Sequence, residues 1–199
     1  MATELVATRG RAALTVRNVA AASGCSTKVV SHYFADMAEL LHATYAAAAD
    51  RAGARLTEVT SGDPTDVQGF VEALLPLDGE RRRDWAVWFA FWSEALSSET
   101  LGADQRARAR WTTERLTAML EVLGSTGRLA ASCDVAGAAR RLSALIPGIA
   151  GHALFDPSSW SPARQRAAVA EELALLGLEG RPSRVTAVGP GPTPDGWRR

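Results

Sequence analysis

Apolar side chains recur at helical rather than alternating spacing along most of this chain, and the breaks between runs fall on residues that cap or stop helices. Residues 2–9 read as the end of a helix stopped by Gly10. Thr15 is placed to cap a helix from Val16 to Ser23, Gly24-Cys25 breaks it, and Ser26 caps a third helix running to about Phe34. Asp36 opens a long fourth helix ending near Ser61-Gly62, and Asp63-Pro64 marks a fifth that runs through Phe70, Val71, Leu74 and Leu75 to Pro76. Beyond Asp78-Gly79 lies the most aromatic stretch, RRRDWAVWFAFWSEALSS. Residues 102–124 form another long helix, and residues 134–155 and 162–178 give two more, separated by DPSSWSP. No strand survives, so the pattern predicts an all-α fold. From Gly180 the chain turns Pro- and Gly-rich without an apolar period, which predicts a disordered tail over 180–199.

Composition narrows the function more than the fold. With 47% apolar residues the chain can bury a substantial core, and its 22 basic and 22 acidic residues cancel. A neutral whole argues against indiscriminate polyanion binding but leaves room for a local basic face. No apolar run approaches the roughly 20 residues that cross a bilayer, and no leader pattern opens the chain, so a cytoplasmic protein without a membrane partner is expected. Cys25 and Cys133 lack a CxxC spacing and read as reduced thiols. His32, His42 and His152 lack a metal-ligand pattern, and neither a metal nor a cofactor is implied. Nucleophile–base pairs and phosphate-cradling glycine loops are missing too, which speaks against an enzyme.

The sharpest motif is LTVRNVAAASGCSTKVVSHYF, residues 14–34. Two short helices crossing steeply need a small residue where their backbones meet and a residue tolerant of positive φ in the turn; Ala20 and Gly24 supply them. Val16 and Val19 face inward from the first helix and Val30 and Tyr33 or Phe34 from the second, while Thr27, Lys28, Ser31 and His32 point outward near the start of the second helix, where a recognition helix carries its base-reading groups. Ala-x-x-x-Gly alone also suits an ordinary helical hairpin. The order of capped helix, tight turn, polar-fronted short helix and long helix, with Arg17 exposed on the first, favours DNA binding.

Residues 5–45 resemble the DNA-binding domain of the TetR family. The match runs through Gly10, Leu14-Thr15, Val16, Arg17, Val19-Ala20, Gly24-Cys25-Ser26 and Tyr33-Phe34, with Leu40-Leu41 in the fourth helix. The resemblance implies a nine-helix, two-fold symmetric regulator that leaves its operator when an inducer binds. It places Thr15 and Arg17 at phosphates and sometimes a base, Thr27, Lys28 and Val29 at bases of the major groove, and His32 and Tyr33 on the DNA backbone. Three departures weaken that grip: Ser31 stands where the family usually has Tyr, Met37 where it commonly has Lys, and the first helix is about two turns short of the family's. Arg9, Arg11, Arg17 and Lys28 are the cations of residues 1–45. The expectation is either modest, salt-sensitive affinity or a translation start upstream of Met1. A helical interaction protein that kept the scaffold and lost the operator is the alternative.

Domains are expected at 1–45 for DNA and 46–179 for ligand sensing and dimerisation. Trp85, Trp88, Phe89 and Trp92 recur as one helical stripe, which suits core or a pocket wall. Phe70, Leu74, Trp111, Met119, His152 and Phe155 are candidates to complete a pocket for a small-molecule inducer, with Glu94, Glu114 and His152 as polar anchors. The segments RRRDWAVWFAFWSEAL and LSALIPGIAGHALFDP resemble the choline-responsive, BetI-like branch of the family, which would imply an aromatic cage for a quaternary ammonium; a bulky planar hydrophobe would suit the same wall. Leu142, Leu145, Ile149, Leu154, Val169, Leu173 and Leu176 form apolar stripes on the last two helices and are the expected homodimer face.

Overall fold

Side-chain caps set where the helices begin in the computed structural model, which describes residues 1–178. The described residues form α1 (Ala2–Arg9), a 3-10 turn (Arg11–Ala13), α2 (Val16–Ser23), α3 (Thr27–Tyr33), α4 (Met37–Gly62), α5 (Val67–Leu74), α6 (Gly79–Ala95), α7 (Glu99–Ser125), α8 (Val135–Phe155) and α9 (Pro162–Leu175). Thr15 accepts from the Asn18 N–H at 3.2 Å, Ser26 from Val29 at 3.4 Å and Asp36 from Glu39 at 2.8 Å. Each of these oxygens satisfies a donor that the first turn of a helix leaves orphaned. The fifth helix starts later than Asp63-Pro64 because Asp63 folds a tight turn onto the Thr65 N–H (2.8 Å), and Asp66 then caps α5. α7 starts earlier than 102 because Ser98 caps it, and α9 stops at Leu175 rather than 178. The tail expected over 180–199 lies outside the described residues.

The turn between α2 and α3 is the local feature on which the N-terminal unit depends. Gly24 sits at φ 64°, and its N–H and that of Cys25 (3.0 Å) close onto the end of α2. Val19, Ala20 and Val30 are buried with Leu5, Val6, Leu14, Leu40 and Leu41. A Cβ on Gly24 would meet nothing within 4 Å, so the cost of adding one is backbone strain alone. Gly24→Ala is therefore expected to lower stability by roughly 1–2 kcal/mol. Urea unfolding should show the midpoint falling at unchanged slope, and a decrease below about 0.5 kcal/mol would contradict this account.

α4 joins the two halves. Leu40 and Leu41 at one end belong to the helix-turn-helix core, and Ala48, Ala52 and Leu56 run into the core of the body beside Phe70, Phe91, Leu116, Leu120 and Ile149. A buried carboxylate, Asp84 of α6, is gripped by Arg51 of α4, with Arg55 at 3.5 Å. Burial pushes the Arg55 guanidinium below its ordinary pKa, and Asp84 pulls it back up. α1 is tied to α6 by Glu4–Arg83 (3.2 Å), and the 3-10 turn by Arg11–Glu94 (3.2 Å), so ion pairs cross the expected boundary at residue 45.

α8 packs along α7, and α9 packs against α5 and α8. This arrangement places most of the expected dimer-face residues inside the subunit. Leu142, Ile149, Val169, Leu173 and Leu176 are buried in the subunit's own core, and Leu145 and Leu154 are half-buried against it. The apolar stripes of the two helices face each other and the bundle. Their outer sides carry Ala144, Gly148 and Phe155 on α8, with Ala163, Ala174 and Leu175 on α9. Phe155 is 91% and Leu175 78% exposed, an unfavourable state for two large apolar side chains in water.

Candidate functional site

α3 is pinned at its back by buried Val30 and at its start by Ser26, and everything else on it reaches solvent. Thr27, Lys28, Val29, Ser31, His32 and Tyr33 are all exposed, as is Arg17 on α2. Thr15 is half-buried, its hydroxyl turned to the cap of α2. Val29 at 44% and Tyr33 at 70% exposure leave apolar surface in water, beside a cation and three polar side chains. A folded domain gains little internally from that arrangement, whereas a duplex groove offers thymine methyls, base edges and phosphates to such a set. Met37 is half-buried and packs on the core, so the charge missing there is replaced by apolar contact. Arg11 is engaged by Glu94, which leaves Arg9, Arg17 and Lys28 as the cations of this unit without a carboxylate partner among the described residues.

The body holds a cavity of about 130 Å³ between α4, α5, α6, α7 and α8. Its apolar wall is Leu74, Trp85, Trp88, Trp92 and Ile146, and its polar side is Tyr45, Gln105, Arg108, Thr112 and Ser143. Trp85 donates its indole N–H to the Leu74 carbonyl at 2.7 Å and stands edge-on to Trp88, with centroids 4.8 Å apart. Tyr45 donates to the Gln105 Oε1 at 3.0 Å, and the Arg108 guanidinium lies 4.9 Å above the Tyr45 ring. Burial pushes the Tyr45 hydroxyl up to about 12, with Arg108 lowering it and Asp104 raising it, so the phenol is neutral and acts as a donor. Pro147 brings no N–H to the turn of α8 at this wall, opening one helical hydrogen bond beside Ser143.

Of the sequence candidates, Leu74, Trp85, Trp88 and Trp92 come together here. The others do not. Phe70 and Met119 are core side chains, Trp111 packs near Phe70 with centroids 6.2 Å apart, and His152 is exposed and stacked on Trp160. Phe89 keeps ring contact with Trp85 and Trp92, centroids 5.3 and 5.4 Å apart, but lies outside this cavity, and with His152 and Phe155 it lines a separate groove between α1, α6 and α8. Glu94 pairs with Arg11, and Glu114 is exposed, so neither anchors the cavity. Tyr45, Gln105, Arg108, Thr112, Ser143 and Pro147 were not among the sequence candidates, since each sits in a stretch that reads as an ordinary polar or small-residue helix face.

Residues 1–44 match the family of bacterial regulatory proteins, tetR family, and residues 64–177 match the BetI-type transcriptional repressor, C-terminal family. The chain belongs to the TetR family. It is a helix-turn-helix transcriptional regulator, in a family of regulators rather than enzymes, and its body is BetI-like. HTH-type transcriptional regulator PksA of Bacillus subtilis (strain 168) is 27% identical over 152 residues, 75% of this chain and 73% of that protein. A transcriptional regulator of Rhodococcus sp. Rha1 superposes with a TM-score of 0.77 at 27% identity, covering 90% of this chain and 95% of that one. A transcriptional regulator from Saccharomonospora viridis, solved in complex with choline, superposes with a TM-score of 0.73 at 25% identity over 87% of this chain and 91% of that one. Among the described residues of this TetR-family chain, no helix is long and apolar enough to cross a membrane, and no group of three or more His, Cys, Asp or Glu gathers as a metal site.

Proposed function

We propose that this TetR-family chain acts as a homodimeric repressor that holds a palindromic double-stranded DNA operator and releases it when a small-molecule inducer fills the body cavity. The observation that carries this reading is α3: a rigidly capped helix whose leading face, Thr27, Lys28, Val29, Ser31, His32 and Tyr33, is entirely exposed beside Arg17. The cavity supports the second half of the reading, because α4 contributes Tyr45 and Ala49 to its wall and Leu40 and Leu41 to the helix-turn-helix core. A ligand that shifts Tyr45 thereby moves the base of the recognition unit. Two recognition helices must lie about 34–36 Å apart to enter successive major grooves, so a small rotation of α4 in each subunit is enough to break the match. The inducer must prefer the released state, and operator DNA must weaken inducer binding by the same factor.

The test is fluorescence anisotropy with DNA flanking the protein's own gene, across a salt series. Lys28→Ala is expected to weaken binding by about 1–3 kcal/mol and to relax preference at one base position in each half-site. Arg17→Ala is expected to weaken all sequences alike and to reduce the salt slope by about 0.9 for each phosphate the side chain no longer neutralises. With Arg9, Arg17 and Lys28 as the cations of the N-terminal unit without a carboxylate partner among the described residues, these three in each of two subunits are expected to contribute a slope of about −5 in log–log form. Tight binding that is flat with salt, or wild-type protein that ignores the flanking DNA, would count against the proposal. The latter result belongs to the alternative, a helical interaction protein on this scaffold, which is favoured by the engagement of Arg11 with Glu94.

A further inference from the structure

A proline in the middle of α8 leaves one acceptor at the cavity short of a donor. Pro147 has no N–H, so the carbonyl four residues before it, on Ser143, lacks its ordinary helical partner, and the pyrrolidine ring crowds that turn. Ser143, Ile146 and Pro147 all line the cavity. A helical carbonyl points along the axis toward the residue four places on, so the Ser143 oxygen belongs to the face that these three residues turn to the cavity. The hydroxyls around it are directed elsewhere. Tyr45 donates to Gln105 Oε1 at 3.0 Å, Thr112 donates to the Arg108 carbonyl at 3.1 Å, and the Ser143 hydroxyl accepts from Thr113 at 3.1 Å. A carbonyl beside an apolar wall gains from any donor that a ligand brings to it.

The rest of the cavity sets the size and shape of that ligand. Its volume, about 130 Å³, is close to the roughly 150 Å³ apolar cavity known to admit benzene. Trp85, Trp88 and Trp92 all come from α6 and form one side, with Leu74 and Ile146 beside them. Three indoles on one helix make a wall against which a ring can lie, and aromatic pairs add to the area they bury. We infer that the cavity takes a flat ligand about one aromatic ring in size that carries an O–H or N–H, with the indole wall holding the ring and the Ser143 carbonyl accepting the proton. Pro147 is then the specificity-determining residue, because any other amino acid there would return an N–H to Ser143. This inference rests on the cavity being the sensor site of the proposed function.

Quenching of tryptophan emission on the full-length protein tests it, since Trp85, Trp88 and Trp92 form the wall. The probes are phenol, anisole, toluene and choline. Phenol is expected to saturate, and anisole, which keeps the ring and the oxygen but has no proton to donate, to bind severalfold weaker. Toluene replaces the hydroxyl by a methyl group of similar size and reports how well the cavity holds a ring alone. Pro147→Ala gives the Ser143 carbonyl its helical N–H and is expected to lower the phenol-to-toluene affinity ratio roughly tenfold. Ser143→Leu puts a larger apolar side chain at the cavity and is expected to weaken phenol and toluene together. The inference is overturned if anisole binds wild type as well as phenol, if phenol fails to saturate at millimolar concentration, if choline binds as well as phenol, if Pro147→Ala leaves the ratio unaltered, or if Ser143→Leu weakens neither ring. Operator release is read separately in the anisotropy assay. Phenol binding without release supports the ligand assignment and counts against the inducer reading, whereas release by choline without phenol binding does the reverse.

Discussion

An Arg51→Met/Arg55→Met variant is expected to lose about 3–5 kcal/mol of folding stability, because it strands the Asp84 carboxylate inside the bundle. Asp84 is fully buried on α6, and the two guanidinium groups reach it from successive turns of α4. Methionine keeps most of each arginine's apolar stem, so the change isolates the charge from the packing. Asp84→Leu on the same background removes the stranded charge and is expected to recover most of the stability, since buried ion pairs replaced as a set by apolar side chains are often neutral or stabilising. Asp84→Leu alone is expected to cost less than the double arginine variant, as Arg51 and Arg55 both keep some access to water. Thermal and urea unfolding of the three variants checks the order. A double variant within about 1 kcal/mol of wild type would show that water or another group reaches Asp84, and the account of how α4 is clamped to α6 would fail.

That clamp matters because its two helices carry opposite walls of the cavity, Tyr45 and Ala49 on α4 and the three tryptophans on α6. It was not legible in the sequence. RAGAR in α4 and RRRDW in α6 each read as solvated charge, and only the crossing of the two helices turns Asp84 inward. The helix-turn-helix was far more legible, because its information is local: Thr15, Ser26 and Asp36 cap their own helices within three residues, and Gly24 sets its own turn. The cavity lay between these extremes. The indole stripe is a spacing pattern and points to Trp85, Trp88 and Trp92, but the same pattern also offers Phe89, which packs on Trp85 and Trp92 and yet lies outside the cavity. Arg108 sits in QRARARW, where alternating arginines carry no signal of which one turns inward. The stripes on α8 and α9 carry a second signal, burial within the subunit. The most apolar face of a helix is the one its own subunit buries first, so Leu142, Ile149, Val169 and Leu173 go to the core, while Gly148, Phe155 and Leu175 stay exposed.

Gly148→Glu is accordingly expected to convert the proposed dimer to monomer without harming the subunit. Gly148 is exposed in the interior of α8, and a Cβ there would meet nothing within 4 Å, so the new side chain has room in the isolated chain. Replacing an interior glycine also favours the helix by about 0.5–1 kcal/mol, which makes the subunit as stable as wild type or slightly more so. In a two-fold interface the same substitution appears twice near the axis, where close helix approach leaves no space for two carboxylates and like charges repel. Phe155, which lines the same groove as Gly148, would return to water on dissociation, so the free subunit should also show increased binding of an apolar dye. Light scattering at micromolar concentration reads the mass, and thermal unfolding reads the subunit. In the anisotropy assay the monomer engages one half-site alone, so affinity should collapse and the salt slope should fall to about half its wild-type value. A Gly148→Glu protein that remains dimeric would remove the outer face of α8 from the interface. A monomer that still held the full operator with undiminished salt slope would separate DNA reading from two-fold symmetry, and the palindromic reading would fall with it.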